Sequence, residues 1–179
     1  IIFGAGGIGL CAFLAAKEYG LSPIFIVDTS DKRLEMAKKL GANLTINPTR
    51  DEFNTNLKDM FGSSVDFAID ASGNVGVMEQ LLKHVKPQGG KAVVIGNAPF
   101  ESKFKVSPSE LNKGKSLLGT WGGDADLEED LRVFLEILNK NIKKLQALDK
   151  KYYPLSEINS AIDAMRQKIY VRPIIDLSL

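Results

Sequence analysis

Cysteine, histidine and tryptophan occur once each in this sequence of 179 residues, as Cys11, His84 and Trp121. One cysteine cannot close an internal disulfide, which fits a reducing compartment. Cys11 and His84 belong to no metal-ligand spacing, so no zinc site is read in this chain. No apolar stretch approaches the roughly 18 residues of a membrane span. No leader of basic, apolar and small residues is read at the start. Neither sign of charge is in excess: 23 Lys and Arg face 22 Asp and Glu, a formal net charge of +1. Without a long basic run, nucleic acid is not an expected partner. Internal repeats and low-complexity segments are also missing. The expectation is a soluble, cytoplasmic protein with no membrane partner. Its hydrophobic content of 44% is enough for a full core, and its length suits one domain with an appendage.

Glycine is concentrated at the start. Residues 1–9 read I-I-F-G-A-G-G-I-G, a strand end running into a G-x-G-x-x-G turn of Gly4, Gly6 and Gly9. In such a turn the first glycine allows the tight bend and the second lets the main chain approach a pyrophosphate. The third lets the next helix pack closely. The helix start adds free N–H groups and the positive end of a dipole. Asp28 closes the apolar run Pro23–Val27, at about the 20-residue offset where the dinucleotide fingerprint places an acceptor for ribose hydroxyls. Any turn collects glycine. A strand before it, a helix after it and an acid ending the next strand together point to a cofactor site, for NAD. Lys32 and Arg33 follow Asp28 and are the cations an NADP site would use. A carboxylate aimed at the 2′ position repels a 2′-phosphate, so NAD is expected, with Arg33 among the residues facing it.

Strand and helix signals alternate along the chain. A helix from about Ile8 to Tyr19 is apolar on most faces, places Cys11 in the core, and ends at Gly20. Ser30 caps a helix carrying Leu34, Ala37 and Leu40, which Gly41 stops. A strand Leu44–Ile46 ends at Asn47-Pro48. Thr49 and Glu52 form a capping-box pattern before a helix with Phe53, Leu57, Met60 and Phe61. A strand Val65–Asp70 runs into Ala71-Ser72-Gly73, and Asn74 caps a helix with Met78, Leu81, Leu82 and Val85. His84, near that helix's C-terminus, is expected in solvent. Strands Lys91–Gly96 and Ser116–Trp121 follow, separated by a short helix with Pro108 at its first position.

Six strands with five helical connections imply an α/β fold, a Rossmann doubly wound parallel sheet in the order 3-2-1-4-5-6. Its ligand crevice then opens where the order reverses, at Gly4–Gly9 and Ala71–Gly73; a plain turn residue is the lesser reading of Gly73. Asp66 and Asp70 bracket the fourth strand on one face, and Asp70 could support the crevice. After Gly123 the pattern changes. An amphipathic helix with Leu127, Leu131, Phe134, Leu135 and Leu138 begins in an acidic run. Lys150–Tyr153, a helix from Ser156 and a strand Tyr170–Leu177 complete a tail with too few elements for its own core. The tail is expected to dock elsewhere.

Taken in order, G-A-G-G-I-G-L from Gly4, I-V-D at Ile26–Asp28, K-R-L-E-M-A-K-K-L-G-A from Lys32, V-D-F-A-I-D-A-S-G from Val65 and G-G-K-A-V-V-I-G from Gly89 form a series. L-L-G-T-W-G-G at Leu117–Gly123 and Y-V-R-P-I-I-D-L at Tyr170–Leu177 extend it nearly end to end. This series resembles the cofactor-binding half of the medium-chain, zinc-type alcohol dehydrogenases. The resemblance implies that Gly4, Gly6, Gly7, Ile8 and Gly9 embrace the pyrophosphate and that Asp28 binds the adenosine ribose. It implies that Ala71, Ser72, Gly73, Gly96 and Gly119 line the adenosine and nicotinamide sides. Arg172 falls where the family places a late arginine on the pyrophosphate; from residues alone it is equally a surface charge.

The implied division is an NAD-binding domain over residues 1–123 and a tail, 124–179, that returns to a catalytic domain outside this sequence. In the family that domain supplies the zinc ligands and the proton relay, so no catalytic or metal residue is assigned here. The complete enzyme would move a hydride between an alcohol or polyol and NAD, with zinc polarising the substrate oxygen, while this piece alone would be inactive. A start at Ile1, without methionine and only three residues before the glycine turn, fits a piece of a longer protein. Rival readings are a zinc-independent quinone reductase, which tends to prefer NADPH, and a non-catalytic NAD-binding sensing or assembly module. A methyltransferase shares the glycine turn but not the later segments. A homo-oligomer through the edge at Ser116–Trp121 is open, since an edge covered by the tail would look the same.

Overall fold

The computed structural model describes residues 1–50, 59, 62, 64–146, 150–167 and 169–179. The capping-box helix expected from Thr49 through Phe61 falls outside them from residue 51 onward, except for Asp59. Six strands form one parallel sheet: β1 (Ile2–Phe3), β2 (Phe25–Val27), β3 (Leu44–Ile46), β4 (Phe67–Asp70), β5 (Lys91–Val94) and β6 (Ser116–Gly119). Their spatial order is β3-β2-β1-β4-β5-β6, with every neighbouring pair parallel. This is the doubly wound order expected from the sequence.

Successive side chains on a strand point to opposite faces, and the core divides accordingly. Phe3, Phe25 and Val27 join one apolar cluster with Leu81, Leu82 and Val85. Ile2 and Ile26 join another with Leu10, Phe13, Leu14, Leu34, Ala37 and Leu40. The second face is therefore covered by α1 (Gly7–Glu18) and α2 (Asp31–Lys39), and the first by α3 (Val75–His84). The predicted punctuation holds. Ser30 accepts from Arg33 N at the head of α2, Asn74 accepts from Val77 N at the head of α3, and Gly20 and Gly41 take positive φ after their helices.

Several strands are shorter than the apolar runs that encode them. Beyond Val94 the N–H of Ile95 still donates to the Asp70 carbonyl in the β4–β5 register, but the N–H of Gly96 turns to that same carbonyl. The chain thus leaves the β5–β6 ladder and closes on the end of β4. Pairing with β6 consequently stops at Val94 and Gly119, and Trp121 lies past the strand, 85% exposed. The short helix α4 (Pro108–Asn112) has proline in its first turn, as expected.

The tail contains α5 (Leu127–Gln146), β7 (Tyr152–Tyr153), α6 (Ile158–Arg166) and β8 (Ile174–Ile175). The predicted closing strand over Tyr170–Leu177 contracts to Ile174–Ile175, paired parallel with β7. Contrary to expectation, the tail has a small core of its own: Tyr153, Ala161 and Ala164, with Ile169, Tyr170 and Ile175 against them. It also docks on the sheet domain. Ile137 and Leu145 pack on the α1–α2 cluster, and Asn141 donates to Glu18 at 3.2 Å beside a Lys140–Glu18 ion pair of 3.1 Å. The stripe of Leu127, Leu131, Phe134, Leu135 and Leu138 stays exposed.

Candidate functional site at the glycine turn

Three glycines of the first turn differ in what holds them. Gly4 adopts φ +103°, and a Cβ there would lie 2.9 Å from Ala71 C and O and from Ser72 N. The turn after β1 is thus packed directly on the turn after β4. A Cβ on Gly9 would strike the Gly4 carbonyl, so α1 can begin this close to the turn only with glycine in its first residues. Gly6 is different. It caps α1 with φ −80° and ψ −172°, which any residue can adopt, and a Cβ would meet only Arg33 Nη1, at 3.8 Å. The protein's own packing makes no demand for glycine at this position.

No side chain caps α1 and its first turn holds no acid, so no described side chain takes its leading N–H groups. Ile8, in that first turn, is an exposed apolar residue beside the turn.

Asp28 follows β2 and is buried. Its Oδ2 accepts from Ala5 N at 2.8 Å and its Oδ1 from Ser30 N at 2.8 Å. The acid therefore fixes both the glycine turn and the start of α2, and each oxygen keeps a lone pair for a further donor. Arg33 Nη1 stands 3.9 Å from Asp28 Oδ2, and its buried Nε has no hydrogen-bond partner. A cation with spare donors is thus placed between the acid and Gly6.

The tail reaches the same place. Val171 packs at 4.0 Å from the Cβ position of Gly7, and Lys32 Nζ lies 5.0 Å above the Tyr170 ring. These contacts bring the exposed Arg172 to the neighbourhood of the glycine turn, although sequence separates them by most of the chain.

Asp70 is completely buried. Its Oδ1 accepts from Ser72 N at 2.9 Å and Ser72 Oγ at 2.6 Å, and Ser72 Oγ accepts in turn from Asn74 N. Gly73, with φ +70°, abuts the Asn97 carbonyl, and Gly96 abuts Gly73 N and Asp70 Oδ2. Gly73 therefore has a sufficient structural reason to be glycine, apart from any ligand. Asp66, by contrast, precedes β4, is exposed, and pairs with Lys86 at 2.5 Å. Around Gly119, apart from its chain neighbours, no described atom lies within 4 Å of a Cβ position.

A cleft of about 460 Å³ opens between these turns, lined by Gly4, Asp28, Thr29, Pro48, Ser72 and Asn74 and continuing along α3 to Gln80 and His84. It lies at the reversal of strand order, where open α/β sheets take their ligands. The sequence reading missed Thr29 and Pro48; only their places immediately after strand ends could have pointed to them.

Two expectations are corrected. Cys11 is exposed, because α1 turns Leu10, Phe13 and Leu14 inward and leaves position 11 outside. His84 is half-buried, not an exposed surface residue. Its ring lies 5.3 Å from the Phe3 ring, and burial lowers its pKa to about 4. Among the described residues no three His, Cys, Asp or Glu side chains stand together as a metal site, and no helix is long and apolar enough to cross a membrane.

The sheet order and glycine turn define a Rossmann-type α/β domain. The chain belongs to the zinc-binding dehydrogenase family, whose model matches residues 7–139. It is 31% identical over 181 residues to an S-(hydroxymethyl)glutathione dehydrogenase of Candida maltosa, covering 99% of this chain and 48% of that protein. It is 32% identical over 176 residues to alcohol dehydrogenase 1 of Cenchrus americanus, covering 97% of this chain and 46% of that one. Among solved structures, benzyl alcohol dehydrogenase from Acinetobacter calcoaceticus superposes with a TM-score of 0.85 at 31% identity, over 97% of this chain and 48% of that one. The chain thus spans about half the length of the relatives it matches.

Proposed function

We propose that this chain is the NAD-binding part of an oxidoreductase of the alcohol dehydrogenase type, which moves a hydride between an alcohol or polyol carbon and the nicotinamide ring. The observation that carries the reading is Gly6. Its side is open where the protein's own packing would admit a Cβ, next to an uncapped helix start and a buried carboxylate that already orders the turn. A pyrophosphate over Gly6 and a ribose against Asp28 would use both features. The names of the relatives support the reaction class.

In this reading Gly4, Gly6, Gly7, Ile8 and Gly9 hold the pyrophosphate, with Arg172 reaching it from the tail. Asp28 and Arg33 face the adenosine ribose. Ala71, Ser72, Gly73, Gly96 and Gly119 line the way to the nicotinamide. Residues 1–123 form the cofactor domain and 124–179 the tail that joins it to a catalytic domain. That domain brings the zinc and the substrate groups, so this chain binds cofactor and does not turn over alone. The assembled enzyme is soluble and cytoplasmic, and it can pair through β6, one of the two outer strands of the sheet.

Calorimetric titration of the chain with NADH and NADPH tests the reading. NADH is expected to bind more tightly, and Asp28→Ala to weaken it. Equal or tighter NADPH binding would favour the quinone-reductase type instead. NADH binding that ignores Asp28→Ala would remove the site altogether.

A further inference from the structure

We propose that Asn47 is a positioning residue for the adenosine half of the cofactor: it locks the loop after Asp28 in its binding shape from outside the site. The proposal rests on the NAD reading above.

Asn47 follows β3 and is only 4% exposed. A buried amide must satisfy its donors and its acceptor, and here the two ends do different things. Oδ1 accepts from Thr49 N at 3.1 Å and Thr49 Oγ1 at 2.7 Å, a local turn of the Asx kind. The Nδ2 group instead reaches across to the neighbouring loop, donating to Thr29 O at 3.2 Å and Asp31 Oδ1 at 2.6 Å. A residue serving only its own turn would have no use for those bonds. Arg50 completes the grip by pairing with Asp31 Oδ2 at 2.5 Å.

The loop so held is 28–31. Its inner side is fixed by Asp28, through Ala5 N and Ser30 N; its outer side is fixed by Asn47. Between them lies Thr29, which lines the cleft with Asp28, as does Pro48 beside Asn47 itself. Asn47 thus sets the ribose acceptor and both flanking walls without facing the ligand. Both atoms that receive Nδ2 are oxygens, so aspartate, equal in shape, would face them with a third oxygen and reverse the interaction.

The test compares ADP-ribose, which needs the adenosine loop, with inorganic pyrophosphate, which needs only the glycine turn. Asn47→Asp keeps the acceptor side toward Thr49 and removes both cross-loop bonds. If the freed loop is in place about a tenth of the time, the Kd for ADP-ribose rises about tenfold, while that for pyrophosphate rises several times less. Asp31→Ala, which removes one partner of Asn47 on an exposed side chain, should give the same selective pattern more weakly. In an Asp28→Ala background, Asn47→Asp should add little, because both act through one loop. Unchanged ADP-ribose binding, equal weakening of both ligands, or losses that multiply in the double variant would each overturn the proposal. If the parent chain binds pyrophosphate but neither ADP-ribose nor NADH, the NAD reading itself fails and the proposal falls with it.

Discussion

The carboxylate of Asp28 accepts a hydrogen bond of 2.8 Å from the main-chain N–H of Ala5, at the centre of the glycine turn. The acid expected to hold a ribose is therefore also the residue that sets the turn's shape before any ligand arrives. Asp28→Ala is expected to destabilise the ligand-free chain by about 1–3 kcal/mol, the cost of leaving a buried N–H unpaired. The urea midpoint of the free chain measures it. A variant as stable as the parent would mean that Asp28 acts on the ligand alone.

The glycines of the turn should separate stability from binding. Gly9→Ala drives a methyl into the Gly4 carbonyl and is expected to cost about 2–4 kcal/mol, the scale of overpacking with a forced backbone shift. Gly6→Ala meets only the tip of Arg33 and should leave stability within about 0.5 kcal/mol. A methyl wedged against a bound pyrophosphate would cost about 1–3 kcal/mol, roughly five- to 150-fold in the NADH Kd. Thermal unfolding and NADH titration of the two variants give opposite rankings if this is right.

His84 should make the chain sensitive to mild acid. Burial lowers its folded pKa from 6.5 to about 4, so between those values the unfolded chain binds a proton that the folded chain refuses. Stability from this source is complete above the unfolded value and is lost as pH falls toward 4. As the single histidine, it gives one Cε1–H resonance by NMR, expected to titrate near 4. A midpoint near the ordinary 6.5 would show a solvated ring. His84→Gln should flatten the stability profile over the same interval.

Cys11 should react as a surface thiol. A maleimide or disulfide reagent is expected to modify one thiol per folded chain without denaturant, because the residue is exposed on α1. Protection until denaturant is added would restore the core position that its apolar neighbours imply.

Much of the fold was legible because its signals are local. Ser30 and Asn74 cap their helices, Gly20 and Gly41 end theirs, and the strand order followed from parallel neighbours needing crossovers. Strand ends were less legible. The N–H of Gly96 turns to the Asp70 carbonyl, and nothing in the run K-A-V-V-I-G announces that. Cys11 was misjudged because a helix with apolar residues on most faces does not reveal which face the sheet covers. His84 was misjudged because its place at a helix end says nothing of Phe3, which comes from the far end of the sequence.

The sequence by itself determined the alternation of strands and helices, the glycine turn and the acid that ends β2, since these depend on period, on side-chain size and on backbone freedom within a few residues. Only the tertiary structure decided which parts meet. It set Ala5 on Asp28, Gly4 on the turn at Ala71, Val171 beside Gly7 and Asn47 on Thr29. Each of these contacts joins segments far apart in the chain, and their distances are fixed by how a twisted parallel sheet stacks its strand ends, a geometry that no local pattern encodes.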